Sequence, residues 1–416
     1  MGCKSNQLEG ALIEENLIEN GFEKIDKIFD ADIFILNSCT VTHKSDKEAF
    51  YIVKQAKKQN PRVKVVITGC IAQIEKEKLL ENPNIDIVLG NDEKLEISKY
   101  LKDVKCKEQS AKCYTNKLEN LNSFHKALLH DTTKTRASLK IQDGCDNRCS
   151  YCIIPFARGK NRSAELDYIL EQIKIYQEAG FKEVMLTGIH IGQWSGENGK
   201  WKMENGKISA ELCSAQNLSA FQPFSFSAPQ ENLLYLLQII EEQTSIERFR
   251  LGSLNPLEIN DEMLAFLKNS KKFCPHFHLS IQSMCDKTIK AMNRNYSVKQ
   301  TLELIEKISQ IFPLVFIGSD IIVGFPGESD EDFKTTIKNL KKSKLTQIHT
   351  FPYSIRKGTV AEKFKNHLPQ KIKEERAKII KEISACFIGV QVRRLRQSSH
   401  ERRGYCLAAD FNKGTK

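Results

Sequence analysis

The sequence predicts an α/β protein in two parts: an N-terminal doubly wound, Rossmann-like domain, then a partial (β/α)6 barrel of the TIM type. Three observations carry this reading. In the first hundred residues, short β-branched runs alternate with helical patterns, as in a parallel sheet covered on both faces. The alternation resumes after Arg136 with six further strand-like runs, enough for most of a parallel barrel. Between them, residues 101–134 are polar and Lys-rich without clear periodicity and read as a basic linker. A chain of 416 residues is long for one domain, so a division is expected.

In the first domain, residues 1–100, the strands are IFIL (Ile33–Leu36), VKVVIT (Val63–Thr68) and IDIVL (Ile85–Leu89). Helices are expected over Gln7–Asn20, Lys44–Gln59 and Ala72–Leu80. Only Met1 and Gly2 precede Cys3, so the strand that would feed the loop before the first helix is expected to be missing. The second domain, residues 135–368, has SLKIQ, EVMLTG, FRLGS, FHLSIQ, FIGSDIIVGF and QIHTFPYS as strands. Its helices include Glu165–Ala179, Thr301–Ile311 and Glu331–Lys341. Residues 195–230 are rich in Ser, Asn and Gly and read as an inserted surface loop. Residues 369–416 form a helix from Gln370 to about Ile388 and a basic tail.

Composition narrows the class. Hydrophobic residues are 40% and charged residues 28%, the balance of a soluble globular protein with a core. No apolar run approaches the ~20 residues of a spanning helix, and MGCKSNQLEG has no signal-peptide core. The expected location is the cytoplasm, with no membrane partner. The net charge of +11 is clustered: from Lys371 onward there are 12 Lys/Arg against 5 Asp/Glu, and from Lys102 to Arg136 there are 8 against 4. Such clusters fit a polyanion such as nucleic acid, and fit a solvated basic face equally well.

Thirteen cysteines in a cytosolic chain argue for metal or redox chemistry rather than a disulfide framework. Cys106, Cys113, Cys213, Cys274, Cys285, Cys386 and Cys406 have no companion at ligand spacing. Cys106 and Cys113 read as exposed thiols of the linker. The other six fall into two sets. Cys3, Cys39 and Cys70 each stand at the start of a loop beside Gly, Ser or Asn. In a doubly wound sheet such loops share the carboxyl edge of the strands, where ligands bind. A shared metal site is expected there; the alternative is three small core cysteines.

The second set is GCDNRCSYC, residues 144–152, directly after a barrel strand. Cys145, Cys149 and Cys152 are three ligands where a structural zinc site has four, and no fourth Cys or His stands nearby in the sequence. Three thiolates at this spacing can hold three irons of a 4Fe–4S cube. The fourth iron is then free to chelate S-adenosylmethionine, whose reductive cleavage yields a 5′-deoxyadenosyl radical.

IQDGCDNRCSYCIIPFARG carries the motif of the radical SAM superfamily. With GCKSNQ, NSCTVTHKSD and TGCIAQ upstream, the chain resembles the methylthiotransferase family from Cys3 to about Phe387. LTGIHIGQW, FRLGSLNP, SIQSMCDKTIKAMNRNY, GSDIIVGFPGESDEDF and IHTFPYSIRKGTVAEK extend the resemblance. It implies two 4Fe–4S clusters, one on Cys145, Cys149 and Cys152 and a second on Cys3, Cys39 and Cys70. It also implies S-adenosylmethionine as cofactor and methyl source, an electron donor such as a flavodoxin or ferredoxin, and tRNA as partner. NSCTVTHKSD, IQDGCDN and LTGIHIG are most similar to the branch that adds methylthio to carbon-2 of threonylcarbamoyladenosine in the anticodon loop. The other branches act on isopentenyladenosine in tRNA or on a ribosomal protein; a metal-stabilised RNA binder without catalysis is a more distant alternative.

Four residues are candidates for holding S-adenosylmethionine. Tyr151 can stack near the adenine or be a core aromatic. Gly324, in IIVGFPGE, resembles a strand motif in which small backbone admits the adenine. Gln282 and Gly188 stand at the carboxyl ends of barrel strands. Arg294 and Arg356 are candidates for substrate phosphate or the cofactor carboxylate, or for a salt bridge closing the barrel. Family members usually end in a small RNA-gripping β-barrel, the TRAM module. Fewer than thirty residues follow Ile388, too few for five strands, so that barrel is expected to be absent or truncated. Arg393, Arg394, Arg396, Arg402 and Arg403 remain available for RNA phosphate.

Overall fold

A computed structural model describes residues 2–101, 111–116, 123–129, 137–196 and 232–398. The N-terminal part runs α1 (Lys4–Glu19), β1 (Ile33–Ser38), α2 (His43–Gln59), β2 (Lys64–Gly69), α3 (Cys70–Ile74) and α4 (Lys76–Leu80). It continues with β3 (Ile87–Leu89), α5 (Ser98–Leu101) and β4 (Lys112–Tyr114). The four strands form one parallel sheet in the order β1-β2-β3-β4. Alternation along β2 sets its two faces. Val65 and Ile67 pack with Ala49, Val53 and Leu79 of α2 and α4, whereas Val66 packs with Leu8, Leu12 and Ile13 of α1. Burial on both faces is why these strands read as continuous apolar runs.

Two details differ from the sequence reading. The helix expected over Ala72–Leu80 is two short ones, because Glu75 leaves the helical region (φ −109°, ψ 30°). Within the segment 101–134 expected as a linker, Lys112–Tyr114 adds the fourth strand beside β3. Cys113 is therefore half-buried, not an exposed thiol. A three-residue strand among lysines is too short to show period-two alternation.

The second part begins with β5 (Ala137–Lys140), the short β6 (Gln142–Asp143), α6 (Ile154–Arg158), β7 (Arg162–Ser163), α7 (Leu166–Glu178) and β8 (Glu183–Thr187). After the segment outside the described residues come α8 (Leu233–Gln243), β9 (Arg248–Leu251), β10 (Ser253–Leu254), α9 (Asp261–Asn269) and β11 (His276–Gln282). Then follow α10 (Asp286–Ala291), α11 (Val298–Ile311), β12 (Phe316–Val323), α12 (Asp330–Lys342), β13 (Gln347–Pro352) and α13 (Gln370–Ser398). The parallel pairings are β5-β8-β9 and β10-β11-β12-β13. β9 and β10 are one strand path broken only at Gly252, so the six expected strands occupy six consecutive places. β6 and β7 form a separate antiparallel pair.

Ser195 and Asn232 pair in an isolated bridge; the loop expected at 195–230 lies almost wholly outside the described residues between them. The last helix runs past Ile388 to Ser398. It lies along the edge strand β13, where Ser384 Oγ accepts the Ile348 amide at 2.8 Å and Ile380 is fully buried. Covering an edge strand removes a pairing hazard. Arg402 and Arg403 lie outside the described residues. No helix among the described residues is long and apolar enough to cross a membrane.

Candidate active site

The motif loop leaves β5 and β6 and is closed by a dense set of bonds to the side chain of Gln142. Its amide nitrogen donates to Gly144 O at 2.7 Å and Asn161 Oδ1 at 2.7 Å. Its oxygen accepts from the Ile189 and His190 amides at 3.0 and 2.7 Å. Gly188 is glycine for this reason: a Cβ there would lie 2.9 Å from Gln142 O and 3.0 Å from its Oε1. Cys145 is buried; Cys149 and Cys152 are partly open. Burial first, then the neighbouring sulfurs of Cys149 and Cys145, push the Cys152 thiol up to about 12.

Two of the three sulfurs in this loop have a polar side chain beside them. Arg294 donates to Cys149 Sγ at 3.4 Å and to Tyr151 Oη at 3.3 Å, and is tied to Ser280 O at 2.8 Å. Arg294 thus serves the motif loop. Tyr151 is half-buried against Met292, Phe325 and Tyr353, and burial holds its phenol well above the usual range. Cys145 Sγ lies 3.6 Å from His190 Nδ1. A histidine does therefore stand beside the motif in space, although 45 residues separate them along the chain. Burial disfavours its charge, but Cys145 and the Glu258 carboxylate on its other nitrogen raise it to about 9. Its other ring nitrogen, Nε2, is engaged by Glu258 and by Asn255.

The N-terminal cysteines also converge. Cys39 and Cys70 are buried and Cys3 is exposed, at the N-cap of α1. Burial, then the sulfurs of Cys70 and Cys3, push the Cys39 thiol up to about 11. The Val41 amide donates to Cys39 Sγ at 3.4 Å. Cys70 receives the strongest donor in the set: Arg158 Nε at 3.2 Å.

Arg158 ends α6, six residues beyond Cys152, so the second part of the chain supplies a buried cation to the first part's cysteine triad. Its Nη1 and Nη2 hold Glu9 at 2.7 and 3.0 Å, and Nη1 also meets Asp143 at 3.0 Å. Lys94 and Lys140 reach Glu9 at 2.6 and 3.0 Å. Burial opposes ionisation of Glu9, but these three cations outweigh it and hold its carboxyl well below the usual range. Arg162 also lies 3.7 Å from Asp143, so two carboxylates face four cations, of which Arg158 lies against Cys70. Arg356 belongs to a second such contact: it is buried and binds Asp46 and Thr40 of the N-terminal part, each at 2.6 Å. It joins the two domains rather than closing the barrel.

The remaining candidates differ in what the fold does with them. Gln282 ends β11 with φ +66°, a left-handed conformation that is uncommon for a side chain of its size, after a register shift between β11 and β12. Gly324 has φ +71°, and a Cβ would lie 2.5 Å from Lys373 Cγ of α13. Its lack of a side chain makes room for Lys373 of the C-terminal helix. Arg158, His190, Glu258 and Asn255, which lies between Arg294 and His190, were not singled out in the sequence. Arg158 and His190 stand in IIPFARG and LTGIHIGQW, and Asn255 and Glu258 in or just beyond FRLGSLNP, but nothing in their spacing says what they touch.

The donor set fits iron–sulfur cubes. Both triads are all sulfur, and the cysteines among the described residues are free thiols. Guanidinium and amide donors aim at the sulfurs, as an anionic centre requires, and the His190 ring lies beside Cys145. No three His, Cys, Asp or Glu groups among the described residues converge closely enough to hold a single metal ion; a cube places each thiolate on a separate iron corner.

Comparison with known proteins agrees with this geometry. The Radical SAM superfamily model matches residues 139–340, and the model described as Uncharacterized protein family UPF0004 matches residues 1–90. A threonylcarbamoyladenosine tRNA methylthiotransferase of Aquifex aeolicus is 34% identical over 386 residues, covering 92% of this chain and 86% of that protein. The Bacillus subtilis protein of the same name is 32% identical over 90% of this chain and 77% of its own length. A tRNA-2-methylthio-N(6)-dimethylallyladenosine synthase of Thermodesulfovibrio yellowstonii is 31% identical over 90% of this chain and 79% of its own. Among solved structures, the radical S-adenosylmethionine methyltransferase TsrM from Kitasatospora setae superposes with a TM-score of 0.55 at 11% identity, over 85% of this chain and 73% of that one. That likeness concerns the fold. By its sequence relatives and by its paired cysteine triads, the chain belongs to the radical SAM methylthiotransferase family.

Proposed function

We propose that this chain adds a methylthio group to carbon-2 of threonylcarbamoyladenosine beside the anticodon of tRNA. The observation that carries the reading is the contact of Arg158, at the end of the helix that follows the motif loop, with Cys70 of the N-terminal triad, in a chain whose relatives include threonylcarbamoyladenosine enzymes. Cys145, Cys149 and Cys152 would hold one 4Fe–4S cluster with S-adenosylmethionine, and Cys3, Cys39 and Cys70 the second. When bound, these groups supply one-electron cleavage of S-adenosylmethionine and a sulfur that carries the methyl group. A flavodoxin or ferredoxin is the proposed source of electrons.

The chain's own residues set the stage. Arg294 fixes Cys149 and Tyr151 relative to β11. The His190–Glu258 pair sets the imidazole ring beside Cys145. Arg158 holds the N-terminal triad against the motif helix and balances negative charge at Cys70. Tyr151 and Gln282 are the proposed contacts to S-adenosylmethionine, with Gly188 beside them; Gly324 contributes at most its backbone. The target base must leave its stack to reach the barrel mouth.

The dimethylallyladenosine relative at 31% identity keeps a second reading in view, the same reaction on a hydrocarbon-modified adenosine. Mass spectrometry of tRNA nucleosides from cells with and without the gene separates them. Loss of 2-methylthio-threonylcarbamoyladenosine alone supports the first reading; loss of the dimethylallyl product supports the second.

A further inference from the structure

The inner face of β11, β12 and β13 carries polar groups that neither cysteine triad uses. Phe277, Leu279 and Ile281 of β11 are buried in the helix-facing core, so alternation turns His276, His278 and Ser280 to the inside of the barrel. His278 Nε2 lies 3.1 Å from Asp320 Oδ1 on β12. Asp320 is the register partner of His349 on β13, whose ring centroid is 5.6 Å from that of His278. The side chains of His278 and Asp320 are 18% and 26% exposed, and His349 is exposed. Lys4, next to Cys3, comes from the other domain. Its ammonium is 3.1 Å from Met185 Sδ on β8 and within electrostatic reach of His276 and His349.

This face joins an ammonium, imidazoles and a carboxylate in a solvent-open lumen beside the N-terminal triad. An apolar ligand lying on it would strip water from these groups and return no hydrogen bonds. A ligand bearing both an anion and hydrogen-bond donors would satisfy them.

We propose that His278, Asp320 and His349, with Lys4 at their rim, form the specificity subsite for the N6 substituent of the target adenosine and select one that carries a carboxylate. Lys4 and His349 meet the carboxylate. Asp320, oriented by His278, accepts from the substituent's hydroxyl or ureido N–H. A dimethylallyl group offers none of these partners. The inference rests on the reading of the reaction given above and names the residues that choose its substrate.

The test uses anticodon stem-loop RNA carrying threonylcarbamoyladenosine, dimethylallyladenosine or plain adenosine at the target position. Dissociation constants and KM are measured with the reconstituted protein and with His349→Leu and Asp320→Asn. His349 is exposed, so its replacement does not threaten folding, and Asp320→Asn preserves shape. The parent protein is expected to prefer the threonylcarbamoyl RNA. In both variants the preference over plain adenosine should fall by about tenfold or more, as for a site that loses a charged hydrogen-bond partner. If the parent shows the preference and both variants keep it undiminished, the subsite is wrong while the reaction stands. If the parent prefers dimethylallyl RNA, the proposed substrate and this subsite both fall.

Discussion

At the scale of single residues, Arg158 is the side chain on which most depends. It is wholly buried, touches Cys70, and balances two carboxylates. Arg158→Ala leaves Glu9 and Asp143 short of a partner. Breaking a buried ion pair from one side costs about 3–5 kcal/mol, so the variant should melt markedly lower and retain less iron in the N-terminal centre. Calorimetry and an iron assay on the same preparation read both; an unchanged melting temperature would mean that the network is dispensable. Cys149→Ala should abolish formation of 5′-deoxyadenosine from S-adenosylmethionine, and chromatography of that product at the parent rate would remove this loop from the radical chemistry. The cysteine sets were legible because ligand spacing and loop position are local properties. Arg158, His190 and Glu258 were not, because their partners lie up to 149 residues away in sequence.

At the scale of elements, the strands and most helices followed from alternation, and the failures have physical causes. β4 is three residues long, and Glu75 breaks a helix that periodicity joins. Arg356 could be read for substrate or for structure until its buried contacts with Asp46 and Thr40 placed it at the domain interface. Two elements give predictions. Ser384→Ala on α13 leaves the buried Ile348 amide of β13 without an acceptor, at a cost of about 1–3 kcal/mol; thermal melting should show it. At the start of α12, partial burial opposes ionisation of Asp332. The Lys287 ammonium at 2.7 Å and the Ser329 amide and hydroxyl outweigh it and hold the carboxyl down to about 2. A depressed carboxylate stabilises the fold above its unfolded value near 4 and loses that contribution as pH falls toward 2. Asp332→Asn should therefore lower the melting temperature at pH 7 and converge with the parent near pH 2; an equal gap at both would contradict the pairing.

At the scale of the whole molecule, the two domains are fastened by buried charge on both sides: Arg158 with Glu9, and Arg356 with Asp46. The first of these fastenings also touches a cysteine triad, so docking of the domains and the N-terminal centre share one side chain, Arg158. That coupling, with two separate sets of three cysteines, is the central claim. It is tested most directly by iron and sulfide content after anaerobic reconstitution, for the parent and for Cys39→Ala. Two cubes predict about eight irons per parent chain and about four in Cys39→Ala, with cleavage of S-adenosylmethionine retained and methylthio transfer lost. About four irons in the parent, unchanged in Cys39→Ala, would make the N-terminal cysteines core residues and contradict the account.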